Sequence, residues 1–136
     1  MEITKIPLIM THPIFFPLFA MAGLTAGVYI WLLFLRLSIL FRQKDVLVPM
    51  EKKVNAHIRN LFEMPVLFYV VALLYITLDI HFIPAIILAW LYVGFRTLHT
   101  GVHCTYNAIP HRAPLFILST LMLLGLWLTL LVLLSV

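Results

Sequence analysis

The sequence contains very little charge. Only 10% of its 136 residues are Asp, Glu, Lys or Arg, whereas about a quarter is usual for a soluble domain. Hydrophobic residues make up 64% of the chain, and a surface this apolar would drive association in water. The composition therefore excludes an ordinary soluble domain and predicts a protein whose solvent is the lipid bilayer.

Cysteine is also scarce, since Cys104 is the only one. The chain therefore cannot form an internal disulfide or a zinc site built from several thiolates. The first apolar run lacks a preceding basic segment and a small-residue cleavage site, so we expect a retained helix and not a signal peptide. The net charge of +4 comes without a basic helix or an RNA-binding pattern, and nucleic-acid binding is not expected.

The pattern of apolar segments predicts four helices that cross a bilayer, each of which requires about 20 mostly apolar residues. The charge-free run Met64–Leu78 is too short to span alone, so the second helix is predicted to start before it. We predict one all-α domain over residues 1–136, an integral membrane four-helix bundle with helices at 13–41, 52–78, 83–106 and 113–135.

The two sides of this predicted bundle differ in charge. The basic residues on one side, after the first and third helices, are Arg42, Lys44, Lys52, Lys53 and Arg112. On the other side only Lys5 is basic. By the positive-inside rule, the two longer loops lie in the cytoplasm and both termini lie outside.

Ionisable residues also occur within the helices, near their cytoplasmic ends. The second helix carries His57, Arg59, Asn60 and Glu63, and the third carries a stripe of Tyr92, Arg96, His99 and His103. A charge at the centre of a spanning helix costs about 2.5–3.5 kcal/mol. Since these helices are antiparallel and joined by a tight turn, their polar residues share one depth, which Arg36 and Arg112 also reach. The pattern predicts a cationic cleft for a small anionic ligand.

Two simpler explanations apply to single residues of this set. Arg59 and Glu63 lie four residues apart and can neutralise each other within the helix. Arg36, Arg96 and Arg112 can each extend to lipid headgroups while their stems remain in the hydrocarbon region.

Histidine spacing raises a further alternative. His99 and His103 have the four-residue spacing of a helical metal-binding pair. With His57 and Glu63 they would form a zinc or iron site, and hence a metal-dependent membrane oxidoreductase. No Glu follows His99, so the metalloprotease pattern is absent, and we expect no metal.

The run from Arg96 through His99 to His103, continuing to Arg112 and Ala113, resembles the third-helix motif of the MAPEG superfamily, the membrane-associated proteins of eicosanoid and glutathione metabolism. The segments around Glu63-Met-Pro65 and His103-Cys-Thr-Tyr106 look most like its uncharacterised bacterial branch, which implies a bacterial inner membrane. The resemblance also implies a homotrimer surrounded by membrane lipids, with glutathione at the subunit interfaces near the cytoplasmic face.

The resemblance assigns roles to several residues. Arg112 matches the arginine that stabilises the glutathione thiolate in the family, where a neighbouring positive charge would lower the pKa of the thiol. Arg96 and His99 match the third-helix positions, while His103 replaces the usual tyrosine. Arg36 lies where some members carry arginines at the end of the first helix.

The second helix departs from the family pattern. His57 matches, but Asn55 stands where the transferases carry arginine and Arg59 where they carry asparagine. Phe62 occupies the glutamate position and Glu63 follows one residue late, which turns it by about 100° around the helix.

Two functions remain open at this point besides the metal-dependent oxidoreductase. The first is a MAPEG-like protein that binds glutathione, or a related small thiol or lipid anion, in a cytoplasm-facing inter-subunit cleft and acts as a glutathione transferase or peroxidase. Its predicted catalytic residue is Arg112, and its predicted ligand-binding residues are Arg36, His57, Arg59, Asn60, Glu63, Arg96, His99 and His103. The alternative is a non-enzymatic structural or accessory membrane subunit that retains the fold without glutathione chemistry.

Overall fold

The computed structural model describes residues 12–42 and 45–135. Within these ranges the chain forms four long helices and no strand: α1 (Phe15–Arg42), α2 (Val48–Thr77), α3 (Ile83–Cys104) and α4 (Ile109–Ser135). A short 3-10 turn, Asp45–Leu47, leads into α2. Each of the four helices is long and apolar enough to cross a membrane. The predicted all-α architecture with four spanning helices is confirmed.

Two helices begin earlier than the sequence predicts. α2 starts at Val48 and not at residue 52, and α4 starts at Ile109 and not at residue 113. Each has a proline as its second residue, Pro49 and Pro110. Proline fits the first turn because its backbone φ is already helical and the N–H that it lacks would be unpaired there anyway. Part of each charged segment that was predicted as a loop therefore forms the first turn of a helix.

α3 ends at Cys104, two residues before the predicted end at 106. Asn107 adopts a positive φ of 53°, and its N–H donates to the carbonyl of Val102 at 2.8 Å. A residue in the left-handed region just beyond the last turn is a common way for a helix to stop. This turn directs the chain into α4 at the same end of the bundle. The predicted bounds of α1 and α2 differ similarly, by a residue or two, at 13, 41 and 78.

The helices bury one stripe of side chains and expose apolar residues elsewhere. Met21, Phe68 and Leu126 are 0% exposed and come from α1, α2 and α4. In contrast, Phe34 on α1 is 61% exposed and Leu131 on α4 is 58% exposed. Helices satisfy their own backbone groups, so such apolar outer faces are suited to lipid.

A tight turn connects α2 to α3 and makes them antiparallel. Asp79 has a φ of 55°, and the N–H of Ile80 donates to the carbonyl of Tyr75 at 2.9 Å, which closes the end of α2. Aspartate is one of the few residues besides glycine that visits this left-handed region routinely. The start of α2 and the end of α3 consequently lie at one end of the bundle, which we call the site end. The Asp79 turn and the start of α1 lie at the opposite end.

Tyr75 links α2 to α4 inside the core. It is 1% exposed, and its hydroxyl lies 2.7 Å from Thr129 Oγ1. Thr129 Oγ1 itself donates to the carbonyl of Leu126 at 2.9 Å. We expect Tyr75→Phe to lower the free energy of unfolding by about 0.6 kcal/mol, the average for hydrogen bonds between membrane helices. Reversible unfolding in mixed micelles measures it.

Tyr29→Phe is the matched control, since Tyr29 is 45% exposed. A Tyr75→Phe variant that is no less stable than Tyr29→Phe would show that this hydroxyl contributes nothing to the packing of α2 on α4.

Candidate functional site

Three buried histidines from two helices meet at the site end. The ring centroids of His57 and His103 are 4.7 Å apart, those of His57 and His99 are 5.5 Å apart, and those of His99 and His103 are 5.9 Å apart. Each side chain is at most 5% exposed. The four-residue spacing of His99 and His103 places both on one face of α3, and the antiparallel packing of α2 brings His57 to that face.

Hydrogen bonds determine which ring nitrogen carries the proton in His57 and in His99, and which nitrogen remains as an acceptor. Thr100 Oγ1 donates its only proton to the carbonyl of Arg96 at 2.8 Å, so it accepts from His57 Nε2, also at 2.8 Å. His99 Nδ1 donates to the carbonyl of Arg112 at 3.2 Å. In the neutral rings, the second nitrogens, His57 Nδ1 and His99 Nε2, are therefore acceptors. Both are buried without a hydrogen-bond partner.

Arg96 is the most unusual residue of the site. Its side chain is 1% exposed, and all three guanidinium nitrogens lack a hydrogen-bond partner. The guanidinium carbon lies 4.9 Å from the ring centroid of Phe116 and 5.5 Å from that of Tyr92. These aromatic faces attract the cation, worth about 0.5–2 kcal/mol, but they leave its N–H groups unbonded. Within residues 12–42 and 45–135, the site thus contains a buried positive charge without a counterion.

A cavity of about 280 Å³ opens beside this cluster. Its lining includes Asn60 of α2, His99 of α3, and Arg112 and Phe116 of α4. Arg112 is half-buried, and its Nη1 donates to Asn107 Oδ1 at 2.6 Å. Phe116 both lines the cavity and contacts the Arg96 guanidinium, so the buried charge lies directly behind the cavity wall. Three residues predicted from the sequence, Asn60, His99 and Arg112, meet at its wall.

Arg36, Arg59 and Glu63 lie elsewhere. Arg36 binds Glu51 Oε1 through Nε and Asn55 Oδ1 through Nη2, both at 3.0 Å, and thereby ties the end of α1 to the start of α2. Arg59 and Glu63 are both exposed on α2.

The predicted pairing of Arg59 with Glu63 is not found, because the ion pairs within 4.0 Å in the described ranges involve other residues. Exposed long side chains lose rotamer entropy on pairing and gain little from it, which explains the difference.

Two contributors were not predicted. Thr100 orients His57, and it lies four residues after Arg96 on the same face of α3, so helical spacing could have indicated it. Phe116 lies four residues after Arg112, but its contact with Arg96 depends on how α4 is rotated against α3. That rotation leaves no signal in the sequence.

The buried histidines do not converge as metal ligands. In residues 12–42 and 45–135, the grouping of three His, Cys, Asp or Glu ligand atoms within 4.8 Å of one another is His12, Asp79 and His81, at the opposite end. The fourth residue of the suggested metal shell, Glu63, is exposed. The arrangement at the site end suits an anion better than a cation, because it already contains Arg96 and Arg112.

The fold and the site define a class: a four-helix membrane protein with a buried, basic, histidine-rich cluster at one end. The model of the MAPEG family matches residues 14–132. The chain therefore belongs to the MAPEG family and is an integral membrane protein, as its resemblance to that family indicates. Comparison with curated proteins finds no match, and comparison with solved structures finds none either.

The unpaired charge predicts an unusual stability change. We expect Arg96→Met to raise the free energy of unfolding of the ligand-free protein by about 1–4 kcal/mol, the gain observed when buried charges are replaced by apolar residues of similar size. Unfolding in mixed micelles after exhaustive dialysis measures it.

Arg36→Met is the matched control and should not stabilise, because it removes the bonds to Glu51 and Asn55. A loss of stability in Arg96→Met would mean that the guanidinium has a partner within the chain, and would contradict the interpretation of Arg96 as unpaired.

Proposed function

We propose that this MAPEG protein binds glutathione, or a closely related small anionic thiol, in the cavity beside Arg96 and uses it as a glutathione transferase or peroxidase. The observation that carries the proposal is the Arg96 guanidinium, which is 1% exposed and has no hydrogen-bond partner in the part of the chain that the structure describes. A buried cation in this state is costly, and an anionic ligand would supply the missing acceptors.

The cavity has the size and lining for such a ligand. Its volume of about 280 Å³ is near the lower limit of roughly 300 Å³ for small-molecule sites. Glutathione carries two carboxylates, an ammonium group and a thiol. Arg96 and Arg112 would bind carboxylate or thiolate groups, since guanidinium groups form strong charge-assisted bonds to anions. Asn60 and His103 would complete the binding surface.

The free imidazole nitrogens provide an acceptor for the thiol proton. When the S–H bond breaks, its proton would pass to His57 Nδ1 or His99 Nε2, and Arg112 would stabilise the remaining thiolate. In the transferase reaction the sulfur then forms a bond to an electrophilic carbon, and the leaving group departs with its electron pair. A histidine within hydrogen-bond reach of the reacting proton is the usual acid–base arrangement.

We also propose that the protein acts as a homotrimer in a bacterial inner membrane, with the site end in the cytoplasm. Arg59 and Glu63 are exposed at this end, and charged groups are costly next to lipid. A neighbouring subunit would cover this face of α2 and close the open side of the cavity, which would bring Arg59 and Glu63 to the ligand. Arg36 would contribute to the site indirectly, through its hydrogen bonds to Glu51 and Asn55 at the start of α2.

Titration calorimetry of the dialysed protein with glutathione tests the binding step. We expect saturable heat at millimolar ligand or below, and a loss of at least about tenfold in affinity, about 1.4 kcal/mol, in Arg96→Gln. Arg112→Ala should retain part of the binding but lose the ultraviolet absorbance of the bound thiolate. Arg42→Gln is the control, because Arg42 is an exposed arginine at the end of α1.

The absence of heat at millimolar glutathione in the wild-type protein would overturn the proposal. Unchanged affinity in Arg96→Gln would overturn the role of the buried charge.

One observation favours the non-enzymatic alternative. Asn55 stands where the resemblance implies a ligand-binding arginine, and its amide oxygen accepts from Arg36, so that position is occupied by a contact within the chain. A structural or accessory subunit would retain this contact and bind a protein partner. Stoichiometric co-purification of a partner from native membranes, together with no thiolate signal, would support the alternative.

A further inference from the structure

A second cluster of ionisable side chains lies at the opposite end of the bundle from the cavity. His12 lies three residues before the start of α1, while Asp79 and His81 belong to the connection between α2 and α3. The cluster therefore joins two segments that are distant in the sequence. No part of the proposed glutathione chemistry uses it.

The ligand atoms of this cluster are spaced as around a metal ion. His12 Nε2 lies 3.4 Å from Asp79 Oδ1, and His81 Nε2 lies 3.1 Å from the same oxygen. One ligand atom from each of the three residues lies within 4.8 Å of the other two. Ligands at about 2.0–2.1 Å from a tetrahedral zinc ion are separated by about 3.3 Å. The two N···O separations are close to that value.

One of the three ligand side chains is buried, and the other two are accessible to solvent. His12 is 5% exposed, whereas the side chain of Asp79 is 81% exposed and that of His81 is 49% exposed. The imidazole rings of His12 and His81 are stacked, with centroids 4.6 Å apart and an angle of 15° between their planes. Their nitrogen lone pairs therefore lie in nearly parallel planes, and the exposed His81 ring would have to rotate for both lone pairs to point at one ion.

We propose that His12, Asp79 and His81 form a binding site for a divalent transition-metal ion, best matched by Zn²⁺. Two imidazoles and one carboxylate are ligands that zinc takes readily, with water in the fourth position. Mg²⁺ and Ca²⁺ prefer several oxygen ligands and fit this set poorly. The site departs from the expectation that the protein binds no metal.

A bound ion would stabilise the end of the bundle that holds the cluster. It would tie the chain before α1 to the α2–α3 turn, which backbone hydrogen bonds such as that from Ile80 to Tyr75 already close. Because a folded site binds the ion and the unfolded chain does not hold these ligands together, binding adds to stability. Imidazole must be deprotonated to coordinate, so the affinity falls at acidic pH.

The test uses the full-length protein in detergent, after removal of any histidine tag and treatment with chelator. Calorimetric titration with Zn²⁺ should give one ion per chain, and thermal unfolding should show a higher Tm in the presence of Zn²⁺. Co²⁺ should give the visible absorption of a low-symmetry, four-coordinate site. Asp79→Asn and His81→Ala should each weaken Zn²⁺ binding by at least about tenfold. Asparagine also tolerates the left-handed backbone at position 79, so Asp79→Asn removes the charge and preserves the turn.

His111→Ala and Asp45→Asn are matched controls, because each removes an exposed residue of the same type at the other end of the bundle, and both should bind Zn²⁺ as the wild type does. His12→Ala should also abolish binding, but His12 is buried, so the two exposed positions decide the outcome. No Zn²⁺ binding in the wild type, or wild-type affinity in both Asp79→Asn and His81→Ala, would overturn the proposal.

Zn²⁺ binding that disappears in His57→Ala and persists in Asp79→Asn would also overturn it, by assigning the ion to the buried histidines. Asp79→Asn should bind glutathione as the wild type does, because Asp79 lies at the opposite end from the cavity. Failure of the zinc site and failure of the proposed function can therefore be distinguished.

Discussion

The buried guanidinium of Arg96 is the constraint on which the rest of the site depends. A cation that is 1% exposed within an apolar bundle requires compensation, and the chain supplies it only in part, through the ring faces of Tyr92 and Phe116. This contact requires α4 to lie close to α3 at the site end. The close packing of α4 on α3 also places the carbonyl of Arg112 where His99 Nδ1 donates to it. The position of the predicted catalytic arginine is thus coupled to the unpaired charge.

The turn at Asp79 is the second determinant, because it sets the antiparallel arrangement of α2 and α3. His57 meets His99 and His103 only because the two helices return along each other from this turn. The left-handed backbone of Asp79 also presents its carboxylate to His12 and His81. A single local conformation therefore brings together residues at both ends of the bundle.

The sequence predicts features that are local to one helix. Four apolar segments indicate four helices, and the spacing of Arg96, His99 and His103 places them on one face, since helical periodicity relates residues three and four apart. The early start of α2 was not predicted, because Pro49 suits a loop and a first helical turn equally well. Contacts that depend on the rotation of one helix against another were also missed, as for Phe116. His12 was not connected with Asp79, because no spacing rule links ligands in separate segments.

The hydrogen-bond pattern of the site narrows the class of ligand that would suit it. Arg96 offers donors without acceptors, whereas His57 Nδ1 and His99 Nε2 in their neutral forms are acceptors without donors. A ligand that satisfies both sets must carry a negative group and a transferable or donated proton. The phosphodiester group of a lipid brings the negative oxygens but no proton of its own. The imidazoles would then stay unpaired, at a cost of about 1–3 kcal/mol each, unless an ammonium or hydroxyl group of the headgroup reached them. A carboxylate-bearing thiol satisfies both sets. This complementarity, and not the net positive charge of the cleft, is the reason to prefer glutathione or a relative of it over a lipid anion.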